Sequence, residues 1–269
     1  MYCAKLLMCI MTSENSFKEV LRNIEYDRNT PEMLQFYTDM EKFLNGVSLN
    51  DLEKLRNFPV FAWRQQIRNF LEKYELYKLI KNVPGSILEC GVADGFGLMS
   101  YAHFCSIFEW GHYTRKVIGF DTFDGFSELL PQDKTSRAMH MKKGGLRHDS
   151  YSILQTATKL YDQNRHLGHL EKIQLVKGDI SKTLPTFIKE NPYLVIALLY
   201  LDMDLYQPTK DAIHLLIDRI PKGGIICFDE INHEDYPGET LAVMEEIGLH
   251  NLRLKRLDFA ARACYAVVE

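Results

Sequence analysis

From residue 83 onward the chain alternates short, densely apolar runs with longer amphipathic ones. "SILECG", "KVIGFD", "IQLVKGD", "LVIALLYLD" and "GGIICFDE" have the length and composition of buried strands. Between them, "GLMSYAHFCSIF", "YSILQTATKLYDQN", "SKTLPTFIKE", "QPTKDAIHLLIDRI" and "GETLAVMEEIG" carry helical spacing. Strands alternating with helices predict a parallel sheet covered on both faces, with right-handed crossovers. The runs Ile196–Leu201 and Ile225–Phe228 are apolar at every position, as a central parallel strand requires. "LRLKRLD" and "RACYAVVE" read as two closing strands. Only about four residues join them, too few for a helical crossover, so they should run antiparallel. The expectation is an α/β fold: a mostly parallel, seven-stranded, Rossmann-like sheet with its last strand antiparallel.

Residues 12 to 80 read differently, as helices without a strand. "TPEMLQFYTDMEKFL" opens with Thr30 as N-cap, Pro31 at the first helical position and Glu32 in the first turn. "FAWRQQIRNFLEKYELYKLI" repeats apolar residues at three-and-four spacing: Phe61, Ile67, Phe70, Leu71, Tyr74, Tyr77 and Leu79. The aromatic stripe Phe61, Trp63, Phe70, Tyr74 is expected to pack in a core or at a subunit contact. These patterns divide the chain into a helical extension over residues 1–82 and an α/β domain over residues 83–269. A polar insertion at 126–148 interrupts the second. Extension and insertion are expected to form a lid, and the extension to support a homo-oligomer.

The 269 residues are 46% hydrophobic and 25% charged, ordinary for a globular protein. A net charge of −4 supplies no basic field, which argues against nucleic-acid and anionic-membrane partners. Six scattered cysteines (Cys3, Cys9, Cys90, Cys105, Cys227, Cys264) form no C-x-x-C pair and read as free thiols in a reducing compartment. The opening "MYCAKLLMCIM" lacks the cleavage pattern of a signal peptide. No apolar run approaches the ~18 residues of a membrane span. The expected location is cytoplasmic.

Acids stand where the apolar runs stop. Glu89, Asp121, Asp179, Asp202, and Asp229 with Glu230 each fall at or just past a strand end. In an open α/β sheet those ends form one rim, and ligands bind there. Gly91, Gly95 and Gly97 in "ILECGVADGFG" let backbone N–H groups approach a ligand where a helix begins. Asp121, one strand on, is expected to accept the hydroxyls of a ribose. An adenosine-containing cofactor follows, and two compete. Tyr206 and Lys210 have the Y-x-x-x-K spacing of short-chain dehydrogenases, which use NAD(P). Against that reading, some ninety residues precede the glycine turn, no serine stands a dozen residues before Tyr206, and an acidic rim would face the phosphates. S-adenosylmethionine, a sulfonium without phosphate, suits an acidic rim, and Glu89 suits its ammonium. A methyltransferase-like protein that binds a nucleoside without turnover is a third reading. Asp204 could cap the helix near Tyr206 instead of acting on a substrate, and Asp179 could be an ordinary turn residue. His140 and His233 are candidates for a lid.

"ILECGVADGFG", "GFDTFDGF", "VKGDISKTLP", "LYLDMDLYQPTKDAI" and "PKGGIICFDE" resemble, in order and spacing, the macrocin O-methyltransferase group. The resemblance covers residues 85–235. It implies a class I methyltransferase fold and a metal-dependent O-methyltransferase acting on sugars of natural products, with S-adenosylmethionine and Mg²⁺ as cofactors. Glu89, Gly91, Gly95 and Gly97 would then hold the methionine end. Asp121, Thr122 and Phe123 would surround the ribose, and Asp179 and Ile180 the adenine. Asp202, Asp229 and Glu230 would bind the metal, and Asp204 would be the general base. The family usually shows Asp-Asp where this chain has Asp229-Glu230. Glutamate is also an oxygen ligand, on a longer arm.

Overall fold

Thr30 begins the first described helix as its sequence predicts: its hydroxyl accepts the Met33 N–H at 3.3 Å, and Pro31 opens α1 (Pro31–Gly46). The computed structural model describes residues 30–134 and 140–269. The readings of the first 29 residues, Cys3 and Cys9 included, lie outside the described residues, as do residues 135–139 of the insertion. What is described divides into two compact units at Trp63/Arg64.

The first unit holds α1, α2 (Asp51–Arg56) and α3 (Phe58–Phe61), with His140. A reciprocal capping box between Asn50 and Glu53 starts α2. Phe43 stacks on Phe61 at 5.7 Å between centroids, and Tyr37 meets Trp63 edge-on at 5.9 Å.

The second unit begins with α4 (Arg64–Ile80) and continues through the sheet. Its strands are β1 (Ser86–Cys90), β2 (Val117–Asp121), β3 (Ile173–Lys177), β4 (Ile196–Leu201), β5 (Ile225–Phe228), β6 (Lys255–Arg256) and β7 (Cys264–Val267). The order across the sheet is β3-β2-β1-β4-β5-β7-β6. β7 pairs antiparallel with both neighbours, and every other pairing is parallel. This is the sheet the apolar pattern predicts. The crossover helices are α5 (Phe96–Phe108), α6 (Tyr151–Gln163), α7 (Ile180–Glu190), α8 (Tyr206–Leu216) and α9 (Pro237–Glu246).

Successive strand residues point to opposite cores. Leu198 and Tyr200 join the cluster with Leu76, Tyr77, Leu98 and Tyr101, whereas Leu199 and Leu201 join the cluster with Leu184, Ile213 and Val243. Both cores are fully closed, so β1, β4 and β5 are buried at every position. The four described cysteines are free and buried. No helix among the described residues is long and apolar enough to cross a membrane.

Two expectations change in detail. α4, assigned to the extension by its helical pattern, packs within the sheet-bearing unit through Leu76, Tyr77 and Ile80. Its apolar residues Leu71 and Leu79 are exposed, while Glu72 and Lys73 are buried. The reason is position: one end of the helix closes a core and the other lines a polar cavity. Phe70 and Tyr74 still pack on Phe104, at 5.0 and 5.4 Å. Arg115, 1% exposed, fastens the α4–β1 connection by donating to Glu109 and to the carbonyls of Ile80, Val83 and Gly85.

Candidate functional site

β1 and β4 are adjacent, so the glycine turn after β1 and the acids after β4 meet at once. Gly91 fits this junction because it has no side chain. A Cβ there would stand 1.8 Å from the Asp202 carbonyl oxygen, and its φ of +93° favours glycine anyway. Around the junction lies a cavity of about 370 Å³. Its walls include Lys73 from α4, Glu89 from β1, Gly97 from α5, Asp202 after β4, Asp229 after β5 and Arg262 before β7.

The turn is held from below by Asp121. One of its oxygens accepts the N–H groups of Val92 and Ala93 at 2.7 and 2.8 Å, and the other accepts Phe123 N–H at 2.6 Å. The carboxylate expected to meet a ribose thus already braces two loops. Thr122 donates to the Gly125 carbonyl at 2.7 Å, and Phe123 is buried against Tyr151 at 5.0 Å. Ser150 ties α6 to the turn through the Ala93 carbonyl at 2.6 Å.

Glu89 is different. It is 3% exposed, and its Oε2 has no hydrogen-bond partner. Burial pushes its carboxyl up to about 8, against the opposing pull of the Lys73 ammonium. Gly97 leaves room for it: a Cβ there would lie 1.9 Å from Glu89 Oε1. A buried acid with an unused oxygen beside a glycine cradle is built to receive a cationic, hydrogen-bonding group.

The acids beyond β4 and β5 crowd one another. Burial, then Asp229 and Asp204, hold the Asp202 carboxyl well above the usual range. Burial and Asp229 push Asp204 up to about 7. Asp229 accepts the Tyr200 hydroxyl at 2.5 Å, and Arg262 Nη2 lies 3.5 Å from its other oxygen. Glu230, 2% exposed, turns to Arg262 Nη2 at 3.1 Å and lies 3.8 Å from His233 Nδ1. Glu239 in turn accepts the Glu230 backbone N–H at 2.8 Å. Among the described residues no three His, Cys, Asp or Glu side chains stand arranged to hold a metal ion. The donor chemistry nonetheless suits a hard divalent cation: carboxylate oxygens under mutual repulsion. The Arg262 guanidinium brings positive charge to Asp229 and Glu230.

Asp204 does not cap a helix. The first N–H of α8, that of Tyr206, goes to Asp133 of the insertion at 2.6 Å. Gly238 makes room for Asp133, since a Cβ there would meet its Oδ1 at 2.3 Å. Asp204 instead adopts left-handed backbone at φ +61°. So do Ala93, Phe123 and Asn232, each a few residues past the end of β1, β2 or β5. Strained backbone collects at binding rims, and four of the six such non-glycine residues described lie on this one.

Asp179 caps α7 by accepting Ser181 N–H at 3.1 Å, and Ile180 behind it is buried. Tyr206 and Lys210 are committed elsewhere. Both bond Glu245 of α9, and neither lines the cavity, which removes the dehydrogenase reading. Lys73, Tyr200, Arg262 and Asp133 were not singled out by sequence. The Lys73 ammonium sits 3.4 Å above the Tyr200 ring, and a polar residue buried inside a helical apolar stripe was the available signal.

Comparison with known proteins identifies the family. The profile of the macrocin-O-methyltransferase (TylF) family matches residues 62–245. The crystal structure of CalS11, a calicheamicin methyltransferase, superposes with a TM-score of 0.85 at 30% identity, covering 89% of this chain and 94% of that one. NovP, an O-methyltransferase, shares the fold at a TM-score of 0.59 and 20% identity, covering 75% of this chain and 80% of that one. A curated relative from Streptomyces olivaceus is 27% identical over 160 residues, 56% of this chain. It is described as 8-demethyl-8-(2,3-dimethoxy-alpha-L-rhamnosyl)-tetracenomycin-C 4'-O-methyltransferase, and this chain spans 55% of its length. With the class I methyltransferase sheet and a family match over most of its length, the chain belongs to the macrocin O-methyltransferase family.

Proposed function

We propose that this protein transfers a methyl group from S-adenosylmethionine to a hydroxyl of a deoxyhexose, carried on a nucleotide or on a natural product, with the help of Mg²⁺. The observation that carries the donor assignment is Glu89: a buried acid in the cavity wall, with Oε1 against Gly97 and Oε2 without a hydrogen-bond partner. The donor's ammonium gives that oxygen its partner. The acceptor class rests on the relatives. One is described as acting on a rhamnosyl group, and another CalS11 structure as that of a TDP-rhamnose 3'-O-methyltransferase.

Methyl transfer is an in-line displacement, and a sugar hydroxyl must lose its proton to be a competent nucleophile. Asp204 is the base. Burial, with the Asp229 charge beside it, raises its proton affinity toward neutrality, which suits a group that must accept a proton at the working pH. Its left-handed backbone turns it away from α8 and leaves the capping to Asp133. Asp202, Asp229 and Glu230 would hold the divalent cation, which would supply positive charge beside the acceptor hydroxyl as it loses its proton. Tyr200 fixes Asp229 from behind, and the glycine turn orients the donor against the rim. Orientation of the two reactants is the largest contribution, equivalent to effective molarities of about 10⁵ M or more.

The test is incubation with S-adenosylmethionine and a panel of nucleotide deoxysugars and deoxysugar glycosides, read by mass spectrometry. A gain of one methyl group in a sugar, lost on adding EDTA, is the expected result. Calorimetry reads donor binding separately: tight S-adenosylmethionine and negligible NADPH are expected, and the reverse would end the proposal.

A further inference from the structure

Arg262 stands among the acids proposed to hold the metal. A single nitrogen, Nη2, lies 3.1 Å from Glu230 Oε1 and 3.5 Å from Asp229 Oδ2. The side chain is 40% exposed, unlike the acids it meets, which are 2% and 16% exposed. It rides on the short connection between β6 and β7, in the run "FAARACY", where alanines flank it. Ala261, Arg262 and Ala263 line the same cavity as Asp202 and Asp229.

We infer that Arg262 is a resident counter-ion, which holds the Asp229–Glu230 pair together in the metal-free protein and is exchanged for the divalent cation. This rests on the proposed use of Mg²⁺ and adds how the site is filled. The physical basis is competition for the same electron pairs. Mg²⁺ demands near-octahedral oxygens at about 2.0–2.1 Å. The oxygens nearest the guanidinium are those that Asp229 and Glu230 would offer. A guanidinium kept beside a divalent ion would also repel it. The exchange is feasible because one side chain is anchored and the other is not: the carboxylates sit on the rim of the sheet, whereas Arg262 reaches in from solvent on a loop. The guanidinium offsets their repulsion until the ion arrives, and its departure frees Glu230 to turn toward Asp202 and Asp229.

The test is Mg²⁺ binding by calorimetry to the full-length protein and to Arg262→Ala, Arg262→Gln and Arg262→Lys. Thermal melting is followed with and without Mg²⁺, and S-adenosylmethionine binding is measured in parallel. Arg262→Ala and Arg262→Gln are expected to bind Mg²⁺ about tenfold more tightly than wild type. They should melt at a lower temperature without the ion and gain more from it. Arg262→Lys, which keeps the charge, should stay near wild type. A merely structural arginine would move affinity the other way. Equal or weaker Mg²⁺ binding by both neutral variants overturns the exchange and leaves the metal assignment standing. Absence of Mg²⁺ binding in every form, with S-adenosylmethionine still bound, overturns both.

Discussion

The loop after β1 and the loops after β4 and β5 face the same cavity but are built on opposite plans. The first is a backbone device. Gly91 lets β1 pass against Asp202, and Asp121 takes three backbone N–H groups. Glu89 Oε2, a buried side-chain atom without a hydrogen-bond partner, stands out there. The second is a side-chain device in which burial and the Asp229 charge raise the proton affinity of Asp202 and Asp204, and Arg262 bridges two acids. One region is preorganised before its ligand comes. The other gathers like charges, which Arg262 offsets. A pocket that must orient a donor needs rigidity, and a pocket that must take a proton needs carboxylates with raised affinity for it.

The strongest way to break this contrast is at the point where the two regions touch. Gly91→Ala forces a Cβ onto the Asp202 carbonyl and an alanine into φ +93°. It should destabilise the fold by about 3–5 kcal/mol, measured by urea denaturation, and abolish both donor binding and turnover. An alanine variant of normal stability would mean that the close approach is not as tight as described. Next is Asp204→Asn, which should retain S-adenosylmethionine affinity while kcat falls by about 10²–10⁴-fold. Unchanged kcat would remove Asp204 as the base.

Glu89→Gln sharpens the comparison through pH. The Glu89 carboxyl rises from 4.5 to about 8 in the folded protein, so over that window the folded state binds more protons than the unfolded. Wild-type stability without ligand therefore falls as pH rises through that range. In Glu89→Gln this slope should flatten, leaving the variant about 1–3 kcal/mol more stable than wild type near pH 9. Its donor affinity should drop by at least about tenfold, the loss of one charge-assisted hydrogen bond. Melting curves at several pH values and calorimetry check the two halves. The smallest effect is expected at Tyr206→Phe. It loses a hydrogen bond to Glu245 outside the cavity, so stability should fall by about 1 kcal/mol and kcat should not change.

The parallel sheet could be read from the chain because β1, β4 and β5 are apolar at every position and so announce burial on both faces. The acids could be read for a related reason. A carboxylate directly after such a run has only the carboxyl edge of the sheet to occupy. α4 shows where this reading fails. Its periodicity marks a helix correctly, but Leu71 faces solvent while Lys73 is buried. Periodicity records which residues share a face, and says nothing about whether that face meets a core or a polar cavity.

The sequence by itself settled the sheet, the order of its elements and the rim on which Glu89, Asp202, Asp204, Asp229 and Glu230 gather, because these follow from local composition and the direction of parallel strands. Tertiary structure alone decided the partners. Asp133, far earlier in the chain, satisfies Tyr206, Lys73 reaches Tyr200 from α4, and Arg262 comes in from the β6–β7 loop to neutralise Asp229 and Glu230. Charge compensation inside a protein depends on distance through space, and separation along the chain carries no record of it.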